Sequence, residues 1–134
     1  LETLGCYSDV DGSQHYPFPF GLLYPDTGDF VGFVSDMASV SLTRGAVASF
    51  REHVKFPSEG AAVPGMIPGI YWSDHASFWP LGVPAVMVTD TAPFRYEHYH
   101  QFDDTPEKVD VARLAKVTLG LTGVVDDLAR GDLP

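Results

Sequence analysis

From Thr105 to Arg130 the chain carries one long amphipathic pattern, and this stretch limits the possible folds more than any other. Thr105 has the chemistry of a helix cap, with Pro106 in the first turn and Glu107 close behind, where an acidic side chain suits the helix dipole. Val109, Ala112, Leu114, Ala115, Val117, Leu121, Val124, Val125 and Leu128 then form a broad apolar face. A helix of that kind must lie on another apolar surface. Candidate partners are short apolar runs: Leu1–Tyr7, Phe30–Val34, Ala61–Val63 and Val83–Val88, the last with its proline near the start, as a strand requires. A second helix is predicted from about Met37 to Val54, with Val40, Leu42, Val47, Phe50 and Val54 at helical spacing and Gly45 as its weak point. Strands alternating with helices predict an α/β layered domain.

Between the first two runs, Ser8 to Asp29 is rich in Gly, Pro, Asp and aromatics, including Tyr16-Pro17-Phe18-Pro19-Phe20. Proline at that density excludes a helix or a central strand. A loop of about twenty residues in a compact domain usually has a function, and its aromatics predict an ordered segment lying over something. Pro64, Pro68 and Gly69 punctuate the chain after the third run. At 134 residues the sequence fits one domain. Eighteen acidic against eight basic residues give a net charge of −10, which argues against nucleic acid or an anionic membrane as partner. No apolar run reaches the roughly 18 residues needed to span a bilayer. A single cysteine, Cys6, excludes an internal disulfide and reads as a small core residue. The chain opens on Leu1-Glu2-Thr3 without an initiator methionine, as the middle of a protein would.

Three groups could carry chemistry: Glu2; Ser73-Asp74-His75; and His98-Tyr99-His100 followed by Asp103-Asp104-Thr105. Consecutive Ser, Asp and His cannot form a nucleophile–base–orienter chain with one another, and there is no Gly-x-Ser-x-Gly elbow. In an extended segment His98 and His100 would face one side. With nearby carboxylates they could ligate zinc, while Asp74 and Asp104 could orient the imidazoles. On spacing alone, a polar loop and a simple helix cap remain equally open. Trp72, Phe78 and Trp79 read as core, His15 and His53 as surface.

Together, Leu1-Glu2-Thr3-Leu4-Gly5-Cys6-Tyr7-Ser8-Asp9, Gly12-Ser13-Gln14, Tyr16-Pro17, Gly28-Asp29-Phe30-Val31, Trp72-Ser73-Asp74-His75-Ala76-Ser77-Phe78-Trp79 and Gly82-Val83-Pro84-Ala85 form an ordered pattern. Thr89-Asp90-Thr91-Ala92, Phe94-Arg95, His98-Tyr99-His100 and Asp104-Thr105-Pro106 complete it. This pattern resembles the di-zinc aminopeptidases, metallopeptidase family twenty-eight, relatives of the glutamate carboxypeptidases and glutaminyl cyclases. The resemblance implies a layered mixed sheet flanked by helices, with residues 1–134 as the C-terminal half of a catalytic domain. It places metal ligands on Glu2, where the family usually has Asp, and on His100, four residues before Asp104-Thr105. Asp74 and His75 match an element lining the cleft, and Asp104 matches a residue that steadies the ligand. Two zinc ions belong to the complete domain. The other ligands and the general base, all upstream in the family, are absent from this chain.

The resemblance thus implies part of a zinc-dependent exopeptidase acting on peptides, most directly an aminopeptidase, and a chain that alone binds zinc poorly and is inactive. A non-catalytic binding or assembly relative is a second reading, against which the retention of Glu2, Asp74 and His100 argues. A glutaminyl-cyclase-like transferase is a third, set back by Ser73 where that branch has Asp. Glu2, Asp74, His75, His100 and Asp104 are expected at one edge of the sheet. The strand from Leu1 is expected to present an open edge, to be covered by the missing half or by self-association.

Overall fold

In a computed structural model, residues 1–67 and 69–133 are described; Pro68, read above as chain punctuation, lies outside them, as does Pro134. The fold is mixed α/β. Strand β1 (Val31–Ser35), helix α1 (Val40–His53), strand β2 (Ser58–Ala62), strand β3 (Met87–Thr89) and helix α2 (Val111–Arg130) follow in that order. The sheet order is β2-β1-β3, with β2 parallel and β3 antiparallel to the central β1.

The alternation of β1 divides the structure into two layers. Val31 and Phe33, both 0% exposed, point to the helix side. There they join Ala46, Val47 and Phe50 of α1, Val88 of β3, and Val117, Leu121 and Val124 of α2 in one core. The ring of Phe33 meets that of Phe50 edge-on, 5.4 Å between centroids. Helix α1 starts after a short 3-10 turn whose cap, Asp36, accepts from the Ser39 amide at 2.9 Å. The two helices pack through glycines. A Cβ on Gly120 would collide with the Phe50 ring and come within 2.5 Å of Val54 Cγ1, and one on Gly123 would strike the His53 ring. Beside this contact the Asp127 carboxylate accepts from Ser49 Oγ at 2.6 Å and pairs with His53 Nε2 at 2.9 Å, fastening α2 to α1.

Several sequence expectations are corrected. Leu1–Tyr7 is not a strand; it touches the sheet through one parallel bridge, Glu2 to Thr89, because Thr3 turns to a positive φ of 42°. The run Val83–Val88 yields strand pairing only at Met87–Thr89, and the third run pairs earlier than expected, over Ser58–Ala62. Thr105 does not cap the last helix. Pro106–Lys108 forms a separate 3-10 turn, Val109 is extended against Gly5, and Asp110 donates its amide to Gly5 O (2.8 Å). Asp110 is the true cap, its carboxylate accepting from the Arg113 amide at 2.9 Å. The apolar face of α2 is also narrower than its sequence pattern, since Val125 and Leu128 are exposed.

The helix contact gives a direct test. Phe50 is fully buried and cannot yield to a methyl group, so Gly120→Ala should destabilise by about 1–3 kcal/mol of overpacking, more than the gain of about 1 kcal/mol in helix propensity. Gly123→Ala displaces the exposed His53 ring and its pairing with Asp127, a smaller loss that the gain in helix propensity partly offsets, so it should cost less than Gly120→Ala. Urea unfolding midpoints read both, and an unchanged or raised midpoint for Gly120→Ala would contradict the packing.

Candidate functional site

Among the described residues, neither α-helix packs on the second face of the sheet. Register places Glu59, Gly32 and Thr89 side by side across β2, β1 and β3, and the next row on this face is Ala61, Val34 and Met87. The bridge from Thr89 to Glu2 extends the first row by one place, so it runs Glu59–Gly32–Thr89–Glu2. All seven residues line one cavity of about 130 Å³. The aromatic loop covers it with Tyr16, Phe20 and Tyr24, and Trp72, Phe94 and Tyr99 complete the walls. The loop that sequence marks as lying over something lies over this.

A buried guanidinium holds the loop in place. Arg95 donates to Gln14 Oε1 (2.6 Å), Phe30 O (2.8 Å) and Gly28 O (3.0 Å), and stacks over the Phe30 ring at 4.5 Å. Gly28 leaves it room, since a Cβ there would stand 3.3 Å from Arg95 Cδ. The N-terminal segment is held by Asp90, which is 0% exposed and accepts from the amides of Cys6 (2.8 Å) and Ala92 (2.9 Å). Burial raises the Asp90 pKa, and the bonds to those amides and the charge of Arg95 counter part of it. Burial likewise pushes the Cys6 thiol up to about 11, which makes it unreactive at neutral pH.

Of the expected site residues Glu2, Asp74, His75, His100 and Asp104, only Glu2 lines this cavity. Glu2 is half-buried in the lining, its amide bonded to Val88 O at 2.9 Å. Tyr99 lines the same cavity and stacks on the exposed His100, with centroids 3.9 Å apart and planes at 17°. His75 is buried, edge-on to Trp79 at 4.7 Å, and its Nε2 donates to Ile70 O at 2.8 Å, leaving Nδ1 without a partner among the described residues. Burial lowers the His75 pKa, so the ring is neutral at pH 7; the charges of Asp74 and Glu2 reach it and oppose the shift. Asp74 is exposed in the 3-10 turn Asp74–Ser77. The Asp104 carboxylate accepts from Tyr96 Oη at 2.7 Å rather than holding His100, and His98 pairs with Asp103 at 2.7 Å.

Backbone strain gathers here too. The non-glycine residues at positive φ among the described residues are Thr3 (42°), Thr91 (58°) and His100 (59°). Thr3 follows Glu2, Thr91 lines the cavity and His100 follows Tyr99. Each such residue costs about 1–3 kcal/mol and persists where surrounding structure enforces it, most often at functional sites.

A carboxylate and an imidazole suit zinc, but a site needs three or four protein donors. Among the described residues no three His, Cys, Asp or Glu side chains cluster closely enough to hold a metal ion. Glu2 and His100 are therefore at most part of a donor set.

The sequence reading placed Trp72 and Phe78 in the core; both are exposed, and Trp72 borders the cavity. It assigned no role to Gln14, Glu59, Asp90 or Arg95. Their importance comes from contacts spanning most of the chain, such as Arg95 to Gln14, and no local pattern signals it.

The chain is 37% identical over 122 residues to a protein of Escherichia coli (strain K12) described as the uncharacterized protein YfbL. The match covers 90% of this chain and 38% of YfbL, so the chain spans well under half the length of that relative. No family model matches the chain, and no solved structure matches it.

Two measurements probe the site. Arg95→Met takes the donor from Phe30 O and loosens the bonds at Gly28 and Gln14, and should cost about 1–3 kcal/mol, with faster proteolysis between Ser8 and Asp29; wild-type resistance in that loop would contradict its role. For His75 the unfolded imidazole takes up its proton at a higher pH than the folded one. The unfolded state then holds more protons below the ordinary value of 6.5, and stability falls as pH drops through that region. Thermal melts should show wild type losing stability relative to His75→Gln as pH falls from about 7 to about 5, whereas parallel curves would mean the ring is not desolvated.

Proposed function

We propose that this chain is the C-terminal half of the catalytic domain of a zinc-dependent aminopeptidase, which removes N-terminal residues from peptides. The observation that carries this reading is that Glu2 and Tyr99 line one apolar cavity, with His100 stacked on Tyr99 outside it, and that Glu2 and Tyr99 each adjoin a left-handed residue, Thr3 and His100. A scaffold with no site to build has no reason to hold threonine and histidine in that conformation. The longer span of YfbL fits a chain that supplies only part of a domain.

In the complete domain, Glu2 and His100 would each donate one ligand, with the remaining ligands and the general base upstream. Zinc held there would polarise the scissile carbonyl and lower the pKa of a bound water. This chain's own share is substrate placement. The cavity beside Glu2 takes the side chain of the substrate's N-terminal residue and excludes water from it. The neutral His75, fixed by Ile70 O and Trp79, gives the neighbouring wall a rigid shape.

The 134-residue chain alone should bind zinc weakly and hydrolyse no aminoacyl amide. Joined to an upstream half bearing His-x-Asp and Glu-Glu, it should become a chelator-sensitive aminopeptidase. In that protein His100→Ala and Glu2→Ala should each lower bound zinc and cut kcat by at least about 100-fold, the scale expected when a metal-activated nucleophile is lost. Chelator-sensitive activity from the chain alone, or a complete protein indifferent to His100→Ala, would overturn the proposal. Cyclisation of N-terminal glutamine without peptide hydrolysis would favour the transferase branch instead.

A further inference from the structure

The row Glu59–Gly32–Thr89–Glu2 has a carboxylate at each end, and the site proposed above uses only one of them. Four neighbouring chain segments separated by about 4.8 Å put the two ends roughly 14 Å apart. Between them the floor is low, because Gly32 has no side chain and the Thr91 methyl packs 3.5 Å from where a Cβ would stand. At the far end Glu59 is half-buried on β2, and it forms no ion pair or hydrogen bond among the described residues. Arg51 lies close by on α1 but is committed to Ser58, donating from Nε to Oγ at 2.9 Å.

Aromatic rings enclose this end. Tyr24 donates its hydroxyl to the carbonyl of Gly60, the residue after Glu59, at 3.1 Å, which draws the loop across the edge of β2. Tyr16 sends its hydroxyl away to Pro25 O at 2.7 Å and turns its ring to the cavity. Glu59, Tyr16 and Tyr24 all line this end of the cavity.

An unpaired carboxylate beside aromatic faces at the end of an apolar cavity is a receptor for a cation on an aliphatic stem. We propose that the cavity selects an N-terminal lysine or arginine, with Glu59 as the specificity-determining residue that pairs with the side-chain charge. The inference rests on the aminopeptidase reading for the placement of the substrate's N-terminus at the Glu2 end. Lysine's four-carbon stem reaches roughly 6 Å at about 1.5 Å per bond, and the Glu59 side chain closes the remaining gap. A leucine stops short and leaves Glu59 in the cavity without a counter-charge. The net charge of −10 also draws cationic substrates toward the protein.

The test uses the complete protein, loaded with zinc, and amides of lysine, arginine, leucine and norleucine, the last matching the lysine stem without its charge. Wild type should show a higher kcat/KM for the lysine and arginine amides than for norleucine. Glu59→Gln should lower the lysine-to-norleucine ratio by roughly 10–100-fold, as expected for a bond to a charged group. Glu59→Asp, which keeps the charge on a shorter arm, should restore part of it. A wild-type preference for norleucine, or a ratio unmoved by Glu59→Gln, overturns the inference while leaving an aminopeptidase in place. Should no amide be cleaved, the aminopeptidase reading falls, and titration of Trp72 fluorescence with n-butylammonium decides the pocket separately. Quenching that Glu59→Gln weakens supports a cation receptor; no quenching, or quenching indifferent to Glu59, overturns it.

Discussion

The arrangement depends on one buried guanidinium. Withdrawing a cation from water is costly unless its donors are met, and burial accordingly lowers the Arg95 pKa from its ordinary value. Three acceptors compensate in part: Phe30 O just before β1, Gly28 O two residues upstream, and Gln14 Oε1 at the loop's near end, while Nη2 has no partner among the described residues. Gly28 O also accepts the Ser8 amide (2.9 Å) and Gln14 Oε1 the Thr91 hydroxyl (2.9 Å), so Arg95 ties together groups that hold the loop from several sides. The bonds that offset part of the cost of burying Arg95 therefore give the aromatic loop, whose regular structure is a 3-10 turn at Phe20–Leu22, a single resting place. Asp90 acts alongside it, catching the backbone of Cys6 and so setting where Glu2 lies. Each group's charge favours ionisation of the other, which makes the two sides of the cavity one electrostatic unit.

This division of labour follows from the sheet. One face is closed by two helices in close contact at Gly120 and Gly123, and it provides the hydrophobic core. The other is closed by a loop, and a loop can leave space where a helix would fill it. Cavity, strained backbone and ungated carboxylates all fall on that second face. The mixed pairing of β1 brings Glu59 and Thr89 to opposite sides of Gly32, so residues from distant parts of the sequence share one row.

What the sequence revealed follows the same division. The α/β class, both helices and the central strand were legible, because each rests on periodic burial that repeats along the chain. The exposed-aromatic composition of Ser8–Asp29 also pointed to an ordered cover. Boundaries were less legible: Val109 interrupts the pattern beginning at Thr105 because it packs against Gly5, more than a hundred positions away. Tryptophan composition misled for a related reason. A large apolar ring reads as core wherever it stands, but Trp72 belongs to the rim of a cavity. Glu59 had no local signature; only the register with Gly32 gives it meaning.

The connectivity also orders assembly in time. The β1–α1–β2 unit closes over a short length of chain, and its contacts can form before the rest of the molecule is organised. By contrast Glu2 meets Thr89, Cys6 meets Asp90 and Gln14 meets Arg95, each across most of the polypeptide. Such closures carry the larger entropic cost and come late. They also involve loop backbone rather than a hydrogen-bonded ladder, so they are the first to release in local fluctuations. Hydrogen exchange should thus be slowest around Phe33 and Phe50 and fastest around Glu2: the recognition surface is the last part of this protein to be finished and the first to loosen.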